Sequence, residues 1–267
     1  MKVSDIAVYE PLDVFDSVER FKSEYGRCTC AMFDPWYNKG AGGVRGDYVE
    51  YITTILEKLA EVSDHIYFWG FPEIVARFVD RIPPAHQYTA WLTWYYKNNP
   101  SVIRGWRSAQ MTCLHMSRPG AKLYPEHFLN EAQLTKQAEG KLRYMPGPPS
   151  VVESPLIIGF VGKKEQTGHP SQKPEAVYKP LIEMVTKPGD LVFDPMCGSG
   201  TTGAVCHNLG RRAVLSDVSL EYIAMARKRL GALDKVRAAP TRNDGAQQPL
   251  ALSAGEEGST GGTLPRS

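Results

Sequence analysis

Three short segments carry residue types that could do chemistry. The first is Asp34-Pro35-Trp36-Tyr37, an acid and a proline followed by two aromatics. A carboxylate beside a backbone carbonyl can accept both N–H bonds of a ring-conjugated amine, draw the nitrogen toward tetrahedral geometry and aim its lone pair. An aromatic next to them can stack on a base taken out of its helix. The same four residues could also be a turn whose aromatics pack in the core. The second segment, Gly198-Ser199-Gly200-Thr201-Thr202-Gly203, fits G-x-G-x-x-G. Its glycines permit a tight turn and a close approach of backbone to ligand. Asp217, further along, could accept hydrogen bonds from ribose hydroxyls. Together they point to a nucleoside-containing cofactor; on this loop alone NAD fits, and a glycine turn without a ligand is the plainer alternative. The third segment is His169-Pro170-Ser171-Gln172-Lys173-Pro174. A lysine at a helix start, beside Ser, Gln and His, can hold a carboxylate. A capped helix start would account for Ser171 and Pro174 without one.

The elements around these segments have a clear rhythm. Residues 191–195 (LVFDP) are a short apolar strand, 204–210 a helix closing on Gly210, 211–217 a second strand ending in Asp217, and 218–230 a helix with basic residues in its last turns. The N-terminal half repeats the theme. A strand at 28–35 also ends in Asp-Pro, and the glycine-rich 38–46 precedes a helix over 47–62. A strand at 64–70, a helix over 72–80 and two strands at 90–96 and 110–116 follow, then a helix over 175–185 after the lysine segment. This alternation predicts an α/β fold with a doubly wound, mostly parallel sheet. Residues 118–165 hold proline clusters and no long periodic segment, and from 237 onward small and polar residues predict a disordered tail. The expected organisation is a catalytic domain over 1–236 and a tail over 237–267.

Bulk properties narrow the classes. With 267 residues, 42% of them hydrophobic, the chain can bury a sizeable core. A net charge of +2 neither requires nor excludes a nucleic-acid partner, which needs only a local basic surface. Five cysteines, an odd number with no zinc spacing, read as reduced thiols, and no metal is expected. The N-terminus lacks the apolar run of a signal peptide, and no stretch approaches the roughly 20 apolar residues of a membrane span. A cytoplasmic, nucleoid-associated protein is the expectation.

Taken together, the three segments resemble the amino-methyltransferase family of DNA methyltransferases, over most of residues 28–232. In that family an Asp/Asn/Ser-Pro-Pro-aromatic tetrapeptide does catalysis, and a loop similar to Asp-Pro-Phe-x-Gly-Ser-Gly-Thr-Thr binds the cofactor. The order here, catalytic segment first, looks like the β group, with a small target-recognition region at about 118–168. The resemblance implies a Rossmann-like methyltransferase fold using S-adenosylmethionine. It assigns Asp34, Pro35, Trp36 and Tyr37 to the target base. Asp194, Pro195, Cys197, Gly198, Ser199, Gly200 and Thr201 would line the cofactor, Asp217 its ribose, and His169, Ser171, Gln172 and Lys173 its methionine end. Trp36 stands where a second proline is usual and Met196 where phenylalanine is usual, which loosens the first loop in expectation.

From Arg81 to Pro125 there is no acid, and basic residues alternate with aromatics. Lys97, Arg104, Trp106 and Arg107, with Lys39 and Arg45 on the glycine-rich loop, are the expected DNA contacts. Aspartate at position 34 favours adenine N6 over cytosine N4 in the family pattern. RNA as the polymer, an NAD-dependent oxidoreductase and a non-catalytic binder on the same fold are the competing readings. The oxidoreductase gives Asp34–Tyr37 no task. Direct transfer needs no cysteine nucleophile, so Cys28, Cys30 and Cys197 are expected to be bystanders. The short recognition region leaves room for a homodimer to add contacts.

Overall fold

The computed structural model describes residues 5–39, 43–103 and 105–238. Along the chain run β1 (Ile6–Val8), α1 (Val14–Tyr25), β2 (Cys28–Phe33), α2 (Tyr48–Val62), β3 (Ser63–Gly70), α3 (Pro72–Val75) and β4 (Gln87–Tyr95). A small ribbon, β5 (Val102–Ile103) and β6 (Trp106–Arg107), leads to β7 (Gln110–Ser117), α4 (Glu131–Ala138) and β8 (Val151–Glu153). The chain continues with α5 (Glu175–Val185), β9 (Leu191–Asp194), α6 (Thr201–Leu209), β10 (Arg212–Leu215) and α7 (Leu220–Ala238). Eight strands form one sheet in the order β1-β10-β9-β2-β3-β7-β4-β8. All neighbours pair in parallel except β7, which runs antiparallel to both β3 and β4.

Parallel strands covered on both faces need apolar residues on both, which is why β2 and β9 read as nearly unbroken apolar runs. Alternate side chains of β2 serve opposite layers. Ala31 and Phe33 join Phe21 of α1 and Ile52 and Leu56 of α2 in one core. Cys30 and Met32 join Ile182 of α5, Val205 of α6 and Ile223 of α7 in the other. Phe193 of β9 stacks on Phe21 at 4.2 Å, and burying one such ring contributes about 2 kcal/mol. No described helix is long and apolar enough to cross a membrane.

Between β2 and β9 the sheet changes direction. The chain leaves β2 for β3 on one side and β9 for β10 on the other, and Cys30 lies opposite Val192 and Ala31 opposite Phe193. The two Asp-Pro dipeptides, at 34–35 and 194–195, therefore emerge together at the carboxyl edge, where doubly wound sheets bind ligands.

Several boundaries differ from expectation. The helix expected over 72–80 is one turn of α-helix followed by a 3-10 turn at Ala76–Phe78. The segment is too short to propagate, and the tighter turn buries Phe78 edge-on against Phe68 at 4.9 Å. Residues 118–165 contain α4, which begins with a reciprocal capping box between Asn130 and Gln133, and the edge strand β8. Helix α6 starts at Thr201 rather than 204 because Gly200, in left-handed conformation, ends the loop just before it. Helix α7 runs to Ala238, past the expected end at 230. The tail expected from 237 otherwise lies outside the described residues.

Candidate functional site

A cleft of about 920 Å³ opens at this edge, walled by the loops after β2, β9 and β10 and by His169, Pro170, Ser171 and Lys173. At one end stands Asp34. Its Oδ1 accepts a hydrogen bond from the Tyr37 hydroxyl at 2.9 Å, and its Oδ2 ion-pairs with the Lys173 ammonium. That ammonium also donates to the Tyr37 oxygen at 2.7 Å, and the Tyr178 hydroxyl lies 3.5 Å from Oδ2. Burial pushes the Tyr37 and Tyr178 phenols well above their ordinary range, so both stay protonated.

Trp36, expected to loosen this loop, is fixed by packing instead. Its ring meets Tyr48 and Tyr51 edge-on at 5.3 and 5.8 Å, its Nε1 donates to the Gly43 carbonyl at 3.3 Å, and its own carbonyl accepts from the Tyr48 hydroxyl at 2.7 Å. Asn38 adds two side-chain hydrogen bonds to the Arg45 backbone, at 2.6 and 3.1 Å. Lys39 and Arg45 both reach the cleft wall, Lys39 over the Phe71 ring and Arg45 over the Tyr51 ring.

The glycine loop forms the other end. The Cys197 amide donates to the Ser216 carbonyl at 2.8 Å, and the Gly198 amide to Asp217 Oδ2 at 3.0 Å. Asp217 Oδ1 accepts from the Ser219 amide at 2.9 Å. Burial raises the Asp217 carboxyl against the pull of these bonds. Asp194 is more deeply enclosed. Its oxygens accept from the Thr202 hydroxyl and the Met196 amide, and burial lifts its carboxyl to about 7. It shapes the loop through its own hydrogen bonds. Burial holds His169 down, leaving a neutral ring against Tyr222 at 4.4 Å between centroids. A nucleoside and amino-acid ligand suits this end: a Cβ on Gly198 would fall 2.9 Å from His169 Nε2, so only a bare backbone leaves the approach open.

The cleft brings together Asp34, Pro35, Trp36, Tyr37, His169, Ser171, Lys173, Asp194, Pro195, Cys197, Gly198, Ser199, Thr201 and Asp217. Two expected cofactor residues have other partners. Gln172 turns into its own loop, accepting from Thr167 at 2.8 Å and donating to the Glu165 carbonyl at 2.6 Å. Gly200 faces Ala226 of α7, where a Cβ would meet it at 2.9 Å. Lys173, expected at the methionine end, sends its ammonium to Asp34. It lies between Gln172, held by Thr167 and Glu165, and Pro174, the N-cap of α5, and its buried side chain lines the cleft. Asp13, Phe71, Tyr178 and Glu221 also line the wall. They sit at ordinary positions in or beside helices, and nothing in local spacing marks them.

The expected DNA contacts are more scattered. Among the aromatics of the same acid-free stretch, Trp94 belongs to the core, its indole donating to the Ser154 carbonyl at 2.7 Å. Lys97 pairs with Glu153 at 2.6 Å, and Arg107 donates to the Lys97 carbonyl. Trp106, at the tip of the ribbon, is 81% exposed. Arg104 lies outside the described residues. Among the described residues no group of three or more His, Cys, Asp or Glu could hold a metal ion. The thiols of Cys28, Cys30 and Cys197 are buried, which pushes each well up and keeps it neutral.

A family model described as DNA methylase matches residues 47–228. The chain belongs to this DNA methylase family. Among individual relatives, it is 47% identical over 151 residues to the DNA adenine methyltransferase YhdJ of Escherichia coli (strain K12), covering 52% of this chain and 51% of that protein. It is 32% identical over 147 residues to the type II methyltransferase M.HpaI of Haemophilus parainfluenzae, covering 54% and 45%. The chain thus spans about half the length of these curated relatives. The fold is shared with the crystal structure of an M1.HpyAVI–SAM complex, at a TM-score of 0.65 and 21% identity over 84% of this chain and 98% of that one. It is also shared with the cytosine-N4-specific PvuII DNA methyltransferase, at 0.60 and 19% over 85% and 87%.

Proposed function

We propose that this chain transfers a methyl group from S-adenosylmethionine to the exocyclic amine of a DNA base, the N6 of adenine. One observation carries the reading: Asp34 with Tyr37 shares a single cleft with the loop at 197–201, although the two are far apart in the chain. A donor over the loop and a base held at Asp34 would face each other across that cleft. S-adenosylmethionine supplies a methyl on a sulfonium: the amine lone pair forms the N–C bond, the S–C bond breaks, and its electron pair stays on sulfur. Asp34 and the Pro35 carbonyl accept the two N–H bonds and orient the lone pair, and the surplus proton leaves through Asp34 to solvent. Tyr37 and Phe71 offer aromatic faces to a base flipped from the duplex.

At the donor end, the Asp217 carboxylate has lone pairs left for ribose hydroxyls. Ser171, Ser199 and the N-terminus of α6 suit a carboxylate. The neutral, buried thiols leave direct transfer without a covalent enzyme intermediate. Adenine is favoured by aspartate at position 34 and by the adenine-methylating relative. Lys39, Arg45 and the ribbon bearing Trp106 are the duplex contacts, with the 118–168 segment reading sequence.

The test is to incubate the protein with methyl-labelled S-adenosylmethionine and duplex DNA, single-stranded DNA or RNA, then separate the product nucleosides. N6-methyladenine from DNA is the expected product. N4-methylcytosine would replace adenine as the target, and label in RNA alone would replace the polymer. Asp34→Ala should lower the rate by about a thousandfold or more while cofactor affinity stays within about threefold. Full activity in that variant would move the chemistry elsewhere.

A further inference from the structure

The two ends of Lys173 touch different halves of the cleft. Its carbonyl accepts a hydrogen bond from the Thr201 hydroxyl at 3.0 Å, at the first residue of α6 and the end of the glycine loop. Thr201 is held in turn by Arg229 at 3.0 Å, and Arg229 pairs with Glu175 at the start of α5 at 2.8 Å. The ammonium meets Asp34 and Tyr37 and lies over the rings of Tyr37 and Trp69, 5.4 and 5.7 Å from their centroids. The side chain is 3% exposed. A lysine so deeply buried is costly unless a counter-charge and hydrogen bonds compensate it, and here every compensating group belongs to the target-base end.

We propose that Lys173 is a positioning residue for methyl transfer: it supplies the counter-charge in contact with Asp34, fixes which carboxylate oxygen meets the amine, and ties that carboxylate to the donor's loop. The inference rests on the amine-methyltransferase reading above. Oδ2 is engaged by Lys173 and approached by Tyr178. Oδ1 accepts from Tyr37, and its remaining lone pair is open to an incoming N–H. A protonated Asp34 would be a poorer acceptor and would carry no charge to draw that hydrogen. The titratable groups around Asp34 are Tyr37, Tyr48 of α2, Cys113 of β7, His169, Lys173, Tyr178 of α5 and Asp194 of β9. Lys173 is the cation in contact. Without it the Asp34 carboxylate would lose its contacting cation while Asp194 stays close by, and activity should fall first on the acid side.

The test compares wild type, Lys173→Met and Lys173→Arg in single-turnover methyl transfer between about pH 5 and 9, with cofactor affinity by calorimetry. Lys173→Met should lose at least about tenfold in rate at pH 7 and move the acid limb up by about one pH unit or more, with cofactor affinity within about threefold. Lys173→Arg should recover part of the rate and return the limb toward wild type. His169→Gln should leave that limb unmoved; a shift there would assign the limb to His169 and overturn the proposal. Equal loss at every pH would also overturn it, as would a parallel loss of cofactor affinity, which would give the ammonium to the donor's carboxylate. If Lys173→Met does not fold, the double variant Asp34→Asn/Lys173→Met, lacking both charges, should fold better; a double variant no more stable would refute the pairing. Wild type inactive on every nucleic acid would sink the parent reading. Wild type active with an unshifted Lys173→Met limb would sink this one alone.

Discussion

Gly198 has φ of +48°, and the side chain it lacks would press on His169. Gly198→Ala should therefore either push His169 into the cleft or flatten the loop, and weaken cofactor binding by about tenfold or more. Calorimetry checks this; unchanged affinity would mean the loop relaxes freely. This glycine was legible in the sequence because its constraint is local, a turn after a strand. Asp34 and Tyr37 were legible for the same reason: they are adjacent, and their pairing with an amine follows from their types. The partner of Lys173 was not. Asp34 precedes it by 139 positions, about half the chain, and the two meet because α5, which Lys173 precedes, shares a core with β2. The steadiness of Trp36 was also hidden, since it comes from Tyr48 and Tyr51 on the next helix.

At the level of elements, the strands and helices that carry apolar periodicity were readable, and those held by capping or edge pairing were not. Helix α4 depends on Asn130 and Gln133 satisfying each other's backbone, and β8 on pairing in parallel with β4. Neither has a run of buried residues to announce it. The ribbon of β5 and β6 projects from the carboxyl end of β4, the same edge of the sheet as the cleft, and carries the exposed Trp106. Trp106→Ala should weaken duplex DNA binding by about five- to thirtyfold, the loss of one stacking side chain, and leave cofactor affinity unchanged. Fluorescence anisotropy with labelled duplex measures the first and calorimetry the second. Equal DNA affinity in the variant would exclude the ribbon from the contact surface.

Across the whole molecule, buried ionisable groups pull stability in opposite directions with pH. Burial holds His115 down to about 3 and His86 down to about 4. His65 Nδ1 lies 3.1 Å from His115 Nε2, while neither ring nitrogen of His86 has a hydrogen-bond partner among the described residues. An unfolded histidine takes up a proton below about pH 6.5, but folded His86 resists it until about pH 4. Its cost therefore grows as pH falls through that window and is absent above it. Asp194 runs the other way. Folded, it keeps its proton up to about 7, so its contribution declines as pH rises from about 4 to 7. His86→Leu should melt higher than wild type by a margin that widens from pH 6.5 down to 4, reaching up to about 3 kcal/mol. A constant margin in thermal melts across that range would show that His86 titrates normally in the fold.

The parallel register between β2 and β9 has a topological consequence. Those strands are joined by backbone hydrogen bonds, and β1 pairs with β10 while Arg227 of α7 reaches the Val8 carbonyl at 3.2 Å and Glu10 at 2.7 Å. Elements early and late in the chain are neighbours in space. A circular permutant that links α7 to β1 and is cut in the 139–150 stretch, between α4 and β8, would keep every strand pairing of the sheet. In that permutant the glycine loop would precede Asp34 in the chain while facing it across an unchanged cleft. The cleft depends on the adjacency of β2 and β9, and such a permutant should keep it whichever half is encoded first.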